Sequence, residues 1–279
     1  MKKVLSFVLI VIMLCGFAVC EAKGRSANRL DQIKETGVLK VATEPYFAPY
    51  EFIDPAKDGD ERYLGADVEI MKAIADEIGV KLEIVPLDFT AVLAGITTAK
   101  YDMAISAIAY SYERSENMNL SNVYKASDTG YGFIVRTEDA DKYNSIEDLK
   151  DAVVATQSGS VQEGLYRADV TDKGCKNLKL FAQMTDAYLA VQEKRADVCI
   201  CSTESAQLYA DANGNVLTVP DFRFDIDPNM NGVVVACPKE GTDELVELVN
   251  SVIEKLNSEG SIEKWFEEAS QQAKELGIE

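Results

Sequence analysis

The chain has 279 residues, with 47 acidic side chains against 28 Lys and Arg, which gives a formal net charge of −19 at pH 7. This acidity argues against nucleic acids and anionic membrane surfaces as partners and suits a soluble, exported protein. The sequence contains no histidine, which excludes His-based catalytic triads and zinc sites with His ligands. We expect no cofactor, no metal and a monomeric protein.

The first residues of the chain predict export. A basic start precedes an apolar run from Val4 to Cys20, which is the arrangement of a secretory signal. Cleavage before Cys20 would leave a lipoprotein anchored to the cell surface through that cysteine, whereas cleavage after Ala22 would release a free protein. We therefore predict a signal peptide over residues 1–22 and an extracytoplasmic location, with the two cleavage sites left open.

The first half of the remaining sequence alternates between strand and helix patterns. The predicted elements are a strand at 38–43, a helix at 66–78 that ends at Gly79, a strand at 81–86, a helix at 90–99 and a buried strand after Asp102. Two successive β–α–β units of this kind imply a parallel sheet with helices on its faces.

The order breaks after Arg114, where residues 120–136 lack a helical period and are predicted to cross between two parts of the molecule. Alternation then restarts. The predicted elements are a helical turn at 145–150, strands at 152–156, 177–181, 197–201 and 232–237, and helices at 160–167, 185–194, 242–256 and 262–269. The restart predicts an α/β fold of two similar lobes joined by two crossing hinge segments, with a ligand cleft between them.

We place lobe one at residues 27–127 plus 232–279 and lobe two at residues 128–231. Asp128 and Asp225 lie near the two expected crossings, where either could be a solvated surface charge.

Four cysteines follow the signal, at positions 175, 199, 201 and 237. Cys199 and Cys201 lie two residues apart on a predicted strand and should point to one face. A Cys-x-Cys pair on a strand is poor metal or redox spacing, so we interpret these residues as small and buried. A disulfide from one of them to Cys237 stays open, because connectivity cannot be read from sequence.

Arg114 is the most informative residue of the chain. It follows the buried strand and a polar turn within the segment Asp102–Ser115. A guanidinium binds a carboxylate through two parallel hydrogen bonds, so an arginine fixed beyond the carboxyl end of a strand predicts a carboxylate receptor. A solvated surface arginine is the alternative.

Five blocks of sequence occur in a recognisable order and spacing. They are VLKVATEPYFAPYEF, the block from LGADVEIM to LSNVY, IEDLKDAVVATQSGSVQE, EKRADVCIC and GVVVACPKEGTDELVELVNSVIEKLNSEGSIEKWFEE, and they span about residues 30–266. Together they resemble the bacterial extracellular solute-binding proteins, family 3, which serve ABC-type importers of polar amino acids. The resemblance implies a periplasmic-binding-protein-like fold that closes around an amino acid, or a related amine-bearing carboxylate, and docks on a membrane permease.

The resemblance also implies roles for single residues. Arg114 matches the arginine that holds the ligand α-carboxylate. Phe47 and Phe89 match positions whose apolar groups flank the ligand side chain, where aromatic faces bury alkyl surface and attract cations. Ser106 matches a position whose backbone carbonyl receives the ligand ammonium.

Three further positions of the implied site offer mainly backbone groups. Ala109 lies where the family usually has Ser or Thr, so its hydroxyl is missing. Ser160 and Val161 follow Gly159 at a predicted helix start, where N–H groups favour an anion. Val161 replaces a frequent Thr, which again leaves a backbone contact.

Ser202 is the clearest departure from the family pattern, because the family usually carries an acid there for the ligand ammonium. Either Ser202 makes a neutral hydrogen bond, or Glu204 substitutes for the acid, since two residues on along a strand keeps the same face. A charge-assisted contact contributes about 1.5–3 kcal/mol against about 1 for a neutral one. Glu44, at the mouth of the first strand, could meet a cationic ligand side chain.

Two other classes of function stay open. Some exported dehydratases resemble this family, and Glu44 or Glu204 could serve such an enzyme as a general acid or base. A surface adhesin or sensor module could also use the fold. We favour a binding protein that is not an enzyme.

Overall fold

A computed structural model describes residues 28–127, 129–228 and 231–278. The predicted signal peptide with Cys20, and Asp128 at the predicted lobe boundary, lie outside these residues. Within them, no helix is both long and apolar enough to cross a membrane.

Among the described residues, the strands form two five-stranded sheets and one short hairpin. They are β1 (Val38–Thr43), β2 (Phe52–Ile53), β3 (Tyr63–Leu64), β4 (Lys81–Pro86), β5 (Met103–Ala104), β6 (Met118–Lys125), β7 (Tyr131–Arg136), β8 (Val153–Gln157), β9 (Asn177–Phe181), β10 (Val198–Ser202), β11 (Leu217–Thr218) and β12 (Val233–Pro238). The α-helices are α1 (Arg29–Thr36), α2 (Ala66–Ile78), α3 (Phe89–Thr97), α4 (Tyr112–Asn117), α5 (Val161–Leu165), α6 (Met184–Gln192), α7 (Thr203–Ala212), α8 (Asp243–Ser258) and α9 (Ser261–Leu276).

Sheet one has the strand order β4-β1-β5-β12-β6. Strand β1 pairs in parallel with β4 and with β5, as the two predicted β–α–β units require. Strand β12 runs antiparallel to β5 and β6. Apolar side chains of α1, α2, α8 and α9 cover one face, and α3 covers the other through Phe89, Val92 and Ile96.

Sheet two has the strand order β11-β7-β10-β8-β9. Strand β8 is parallel to β9 and β10, whereas β7 is antiparallel to β10 and β11. Helices α6 and α7 cover one face. On the other face the rings of Phe133 and Phe222 stack with centroids 4.4 Å apart. Phe222 lies beyond β11, so this contact ties the returning chain to sheet two.

The chain passes between the sheets twice, which confirms the predicted two-lobe α/β fold. Strands β6 and β7 belong to different sheets, so the first passage takes only residues 126–130, and the second takes residues 219–232. The prediction of a crossing over 120–136 is wrong at both ends, because those residues are strands. Strand β6 is an edge strand, and β7 is buried at all of its residues except the last, Arg136, so neither alternates clearly. The bounds of the two lobes remain a prediction.

The other predicted elements agree closely with the structure. The strands at 38–43, 81–86 and 177–181 and the helix at 66–78 match residue for residue. The buried strand after Asp102 is shorter than predicted, because the chain leaves the sheet near Ala107, whose φ is 43°.

The four cysteines of the described residues are buried and free. Cys199 and Cys201 share one core cluster with Met184, as predicted for side chains on one strand face. Burial raises the pKa of the Cys199 thiol well above its ordinary value. Because all four cysteines are free, neither Cys199 nor Cys201 forms the disulfide to Cys237 that the sequence left open.

Candidate ligand-binding site

A cleft opens between the two sheets, where strands of both lobes end. All of the predicted site residues except Glu204 line it: Glu44, Phe47, Phe89, Ser106, Ala109, Arg114, Ser160, Val161 and Ser202. These residues come from the ends of β1, β8 and β10, the starts of α3, α4 and α5, and the turn after β5. The fold therefore brings positions from across the sequence into one cavity.

Arg114 is held in the cleft wall by short-range structure. Ser111 caps α4 by accepting a hydrogen bond from the Arg114 N–H at 3.2 Å. The guanidinium, in a residue only 8% exposed, donates through Nη1 to the Ala109 carbonyl. Its Nη2 donates to the Gly159 carbonyl of the other lobe at 3.0 Å. The group also lies over the Phe89 ring at 5.6 Å.

No Asp or Glu in the described part of the chain pairs with Arg114, although other arginines have such partners. Burial lowers the pKa of Arg114 to about 10, so the group stays charged at neutral pH. Two of its five N–H donors are bonded to carbonyls, and a buried cation is destabilising until an anion compensates it. An anion that binds in the cleft would supply the missing compensation.

Glu44 places a carboxyl in the same cleft. The residue is 2% exposed, and its Oε2 accepts a hydrogen bond from Gln157 Nε2 of the other lobe at 3.0 Å. Its Oε1 is buried without a partner among the described atoms. Burial raises the pKa of Glu44 to about 8, against the hydrogen bond from Gln157, and the nearby charges of Asp88 and Asp186 raise it further. A cationic group placed here would satisfy Oε1 and favour the ionised carboxyl.

Ser106 connects Glu44 to a second buried acid. Its Oγ accepts from the Glu44 N–H at 2.9 Å and donates to Glu51 Oε1 at 3.1 Å. The hydroxyl is therefore engaged within the protein, and only backbone atoms of Ser106 remain for a ligand. The predicted role of its carbonyl stays a prediction.

Glu51 and Asp67 lie behind the cleft wall. Burial raises the pKa of both carboxyls, and the charge of Asp67 raises that of Glu51 further. Asp67 accepts hydrogen bonds from the Tyr124 hydroxyl at 2.8 Å and the Ala107 N–H at 2.9 Å, which favour its ionised form. The pKa of Glu51 is therefore the more strongly raised of the two.

Ser160 and Val161 start α5 on the opposite wall. The Ser160 hydroxyl accepts from the Glu163 N–H at 3.2 Å and donates to the Gln157 carbonyl at 2.7 Å. Glu163 in turn accepts from the Gly159 N–H at 2.7 Å. These bonds form a helix cap that occupies the Ser160 hydroxyl. Val161 is the first residue of the helix, so its N–H has no intrahelical acceptor.

Glu204 is the predicted site residue that does not line the cleft, although its charge, after burial, raises the pKa of Tyr50, which does line it. Strand β10 ends at Ser202, which lines the cleft, and α7 begins at Thr203. The expectation that Glu204 shares a strand face with Ser202 is wrong, because the chain has already turned into a helix. Glu204 lies in the first turn of α7 instead.

The two predicted aromatic residues lie in different settings. The Phe47 ring is stacked with Tyr50 at a centroid distance of 5.6 Å. Tyr50 in turn meets Phe266 edge-on at 4.7 Å. Phe89 lies beneath the Arg114 guanidinium. Both predicted rings line the cleft, and both also pack within the protein.

Sequence reasoning missed several lining residues: Tyr50, Lys125, Tyr131, Gln157, Gln162 and Met184. Gln157 ends β8, so the rule that ligands bind beyond the carboxyl ends of strands could have identified it. Lys125 is only partly exposed and pairs with Glu263 at 3.3 Å. No local pattern in the sequence distinguishes Lys125 from a surface lysine.

The fold has two α/β lobes with a polar cleft between them, and lobe one contributes a buried guanidinium and a buried carboxyl to its lining. These features define a binding protein for small charged solutes. The profile of the bacterial extracellular solute-binding proteins, family 3, matches residues 39–270. The chain belongs to this family, which confirms the resemblance read from its sequence and its function as an extracytoplasmic solute-binding protein.

Individual relatives agree with this assignment. The chain is 26% identical over 272 residues to the arginine-binding extracellular protein ArtP of Bacillus subtilis, covering 95% of this chain and 98% of that protein. The crystal structure of the amino acid ABC transporter substrate-binding protein AbpA from Streptococcus pneumoniae, bound to L-arginine, has a TM-score of 0.79 and 31% identity over 89% of this chain and 99% of that one. The cyclohexadienyl dehydratase of Pseudomonas aeruginosa is 25% identical over 71% of this chain and 77% of its own length.

Proposed function

We propose that this protein binds an amino acid, or a similar solute with one carboxylate and one cationic group, and delivers it to an ABC-type importer. The observation that carries the proposal is Arg114: a buried guanidinium lines the cleft with no acidic partner in the described chain. A ligand carboxylate supplies the missing charge through the N–H groups that the protein leaves unbonded. Family membership and the arginine-binding relatives support the same class of ligand.

The cationic end of the ligand is assigned to Glu44. Glu44 lines the cleft, its Oε1 is buried without a partner among the described atoms, and the negative charges of Asp88 and Asp186 act on its carboxyl. The acidic chain as a whole draws cationic solutes by long-range attraction. We therefore propose a guanidinium or ammonium side chain as the preferred group, as in the ligands of ArtP and AbpA.

Closure of the lobes completes the site in this proposal. Two hydrogen bonds cross the cleft, from Arg114 Nη2 to the Gly159 carbonyl at 3.0 Å and from Gln157 Nε2 to Glu44 Oε2 at 3.0 Å. Each involves a residue assigned to the ligand, so ligand binding and closure are coupled. The chain crosses between sheets at 126–130 and 219–232, and these segments are the proposed hinges.

Calorimetry with a panel of amino acids tests the assignment of Arg114. The Arg114→Ala variant should lose affinity for the preferred ligand by at least 30-fold, because removing one partner of a buried charge pair costs roughly 2–5 kcal/mol. Arg114→Lys should recover part of the loss, since an ammonium cannot bind a carboxylate bidentately. Arg195→Ala, at an exposed arginine paired with Glu193, is the matched control and should bind as the wild type does. Equal affinity of Arg114→Ala and wild type would reject the site.

A catalytic role is the second candidate function, because a carboxyl in a cleft with a pKa near 8 is what a general acid requires. The similarity of the chain to a cyclohexadienyl dehydratase suggests a substrate class with which to test for catalysis. We propose that the chain is not an enzyme. Incubation with a cyclohexadienyl carboxylate should give no product above the buffer rate, and turnover lost in Glu44→Gln would overturn this view.

We also propose that the protein acts as a monomer and that it is exported through a signal peptide within residues 1–22, which is cleaved either before Cys20, the residue that would then carry the lipid, or after Ala22. Mass spectrometry of the mature protein separates the two cleavage alternatives, since a diacylated Cys20 has a mass distinct from that of a chain starting at Lys23. The excess of acidic residues, 47 against 28 basic ones, argues against nucleic acid as a partner.

A further inference from the structure

The wall of the cleft is unbalanced for a cationic α-amino acid. Such a ligand carries two positive groups and one carboxylate. Within residues 28–127, 129–228 and 231–278, the cleft lining contains one carboxyl, that of Glu44, and two basic side chains, Arg114 and Lys125. If the ligand side chain meets Glu44, the α-ammonium has no acid to meet.

The groups available to an α-ammonium are neutral. Ser202 offers a hydroxyl at the end of β10, and it makes no capping hydrogen bond to α7. Ala109 has no hydroxyl, and that of Ser106 is engaged with Glu51. Glu204 lies on α7, outside the cleft lining.

The second basic side chain of the lining already has an acidic partner. Lys125 lines the cleft with a side chain only 11% exposed, and it pairs with the outer carboxylate of Glu263 at 3.3 Å. An α-ammonium in the cleft would lose its hydration and gain only neutral hydrogen bonds from the lining.

We propose that the protein accepts ω-guanidino and ω-amino carboxylic acids, which keep the carboxylate and the cationic end but lack the α-amino group. This inference rests on the proposed function and names its ligand class more closely. Arg114 holds the carboxylate and Glu44 holds the guanidinium or ammonium. The α-amino group adds little, so a desamino analogue should bind within about tenfold of its parent amino acid, the difference between a neutral hydrogen bond and none.

Calorimetry with L-arginine and 5-guanidinopentanoate, its desamino analogue, tests the proposal on the wild-type protein. We expect dissociation constants within tenfold of each other. Arginine binding more than 100-fold tighter overturns the inference and leaves the proposed function standing. Failure of both ligands to bind rejects the cationic ligand class itself, and with it this inference. Tighter binding of L-glutamine than of the guanidino acid also overturns it, since the α-ammonium would then occupy Glu44.

A gain-of-function variant gives an independent readout. Ser202→Asp should supply the missing acid and strengthen arginine binding at least tenfold, while the affinity for 5-guanidinopentanoate stays the same or falls. Ser251→Asp adds the same charge at an exposed position on α8 and should change neither affinity. Equal effects of Ser202→Asp on both ligands would contradict the proposal. If Ser202→Asp does not fold by circular dichroism, the wild-type ratio decides alone.

Discussion

If Glu44 binds the cationic end of the ligand as proposed, we expect ligand affinity to depend on pH in a range where few carboxyls titrate. Burial raises the pKa of Glu44 to about 8 in the ligand-free protein. A cationic side chain binds the ionised form, so below pH 8 the ligand must displace a proton. The Arg114 guanidinium, with a pKa of about 10, stays charged throughout this range, as does a ligand guanidinium.

The size of the effect follows from the pKa. Each unit of pH below the pKa costs about 1.36 kcal/mol of binding free energy, since the proton must leave first. Lowering the pH from 8 to 6 should therefore weaken binding of a guanidinium ligand by roughly 50- to 100-fold. Close to one proton should be released per ligand bound at pH 6, and almost none at pH 9. Glu51 and Asp67 also have raised pKa values, but they lie behind the wall and do not contact the ligand in our assignment.

Titration calorimetry at pH 6, 7, 8 and 9, in two buffers of different ionisation enthalpy, measures both affinity and proton release. Glu44→Gln is the control, because it keeps the shape of the side chain and removes the titrating group. That variant should bind the cationic ligand weakly and without a slope between pH 6 and 8. A wild-type affinity that changes less than threefold over this range would refute the reasoning, as would the same slope in Glu44→Gln.

Three further predictions concern stability and closure. The pKa of Glu44 in the folded protein lies above its ordinary value of 4.5, so the stability that its protonated form contributes is lost as the pH rises toward 8. Glu44→Gln should therefore be more stable toward urea than the wild type at pH 8, by about 4 kcal/mol, and should show no gain at pH 4. Gly159 has a φ of 77°, and a Cβ added there would lie 3.2 Å from a side-chain carbon of Thr90 in the other lobe. Gly159→Ala should therefore lower the free energy of unfolding by about 1–2 kcal/mol and weaken ligand binding several-fold. Unchanged values in both assays would argue against the interlobe contact. Gly65, just before α2, packs so closely on the Tyr50 carbonyl oxygen that a Cβ there would clash with it. Gly65→Ala should therefore lower the melting temperature, and wild-type melting behaviour of the variant would contradict this close approach.

Local patterns were enough to predict most of the secondary structure. The helix at Ala66–Ile78 and the strand at Lys81–Pro86 match because their apolar spacing and the terminating Gly79 act over a few residues. The segment around residues 120–136 was harder to predict, because its two strands pair with partners distant in sequence and neither carries a clear period. The same holds for the short strand β5, whose end depends on the turn near Ala107.

The sequence by itself determined the class of this protein, its alternation of strands and helices, and the position of Arg114 after a buried strand. These features are written in spacing and residue type. Only the tertiary structure decided the electrostatics of the site. The contact between Glu44 and Gln157 joins residues 113 positions apart, and the raised pKa of Glu44 and the uncompensated charge of Arg114 follow from burial. The exclusion of Glu204 depends on a strand that ends at Ser202. Burial and long-range contacts are properties of the packed chain, and no local stretch of sequence contains them.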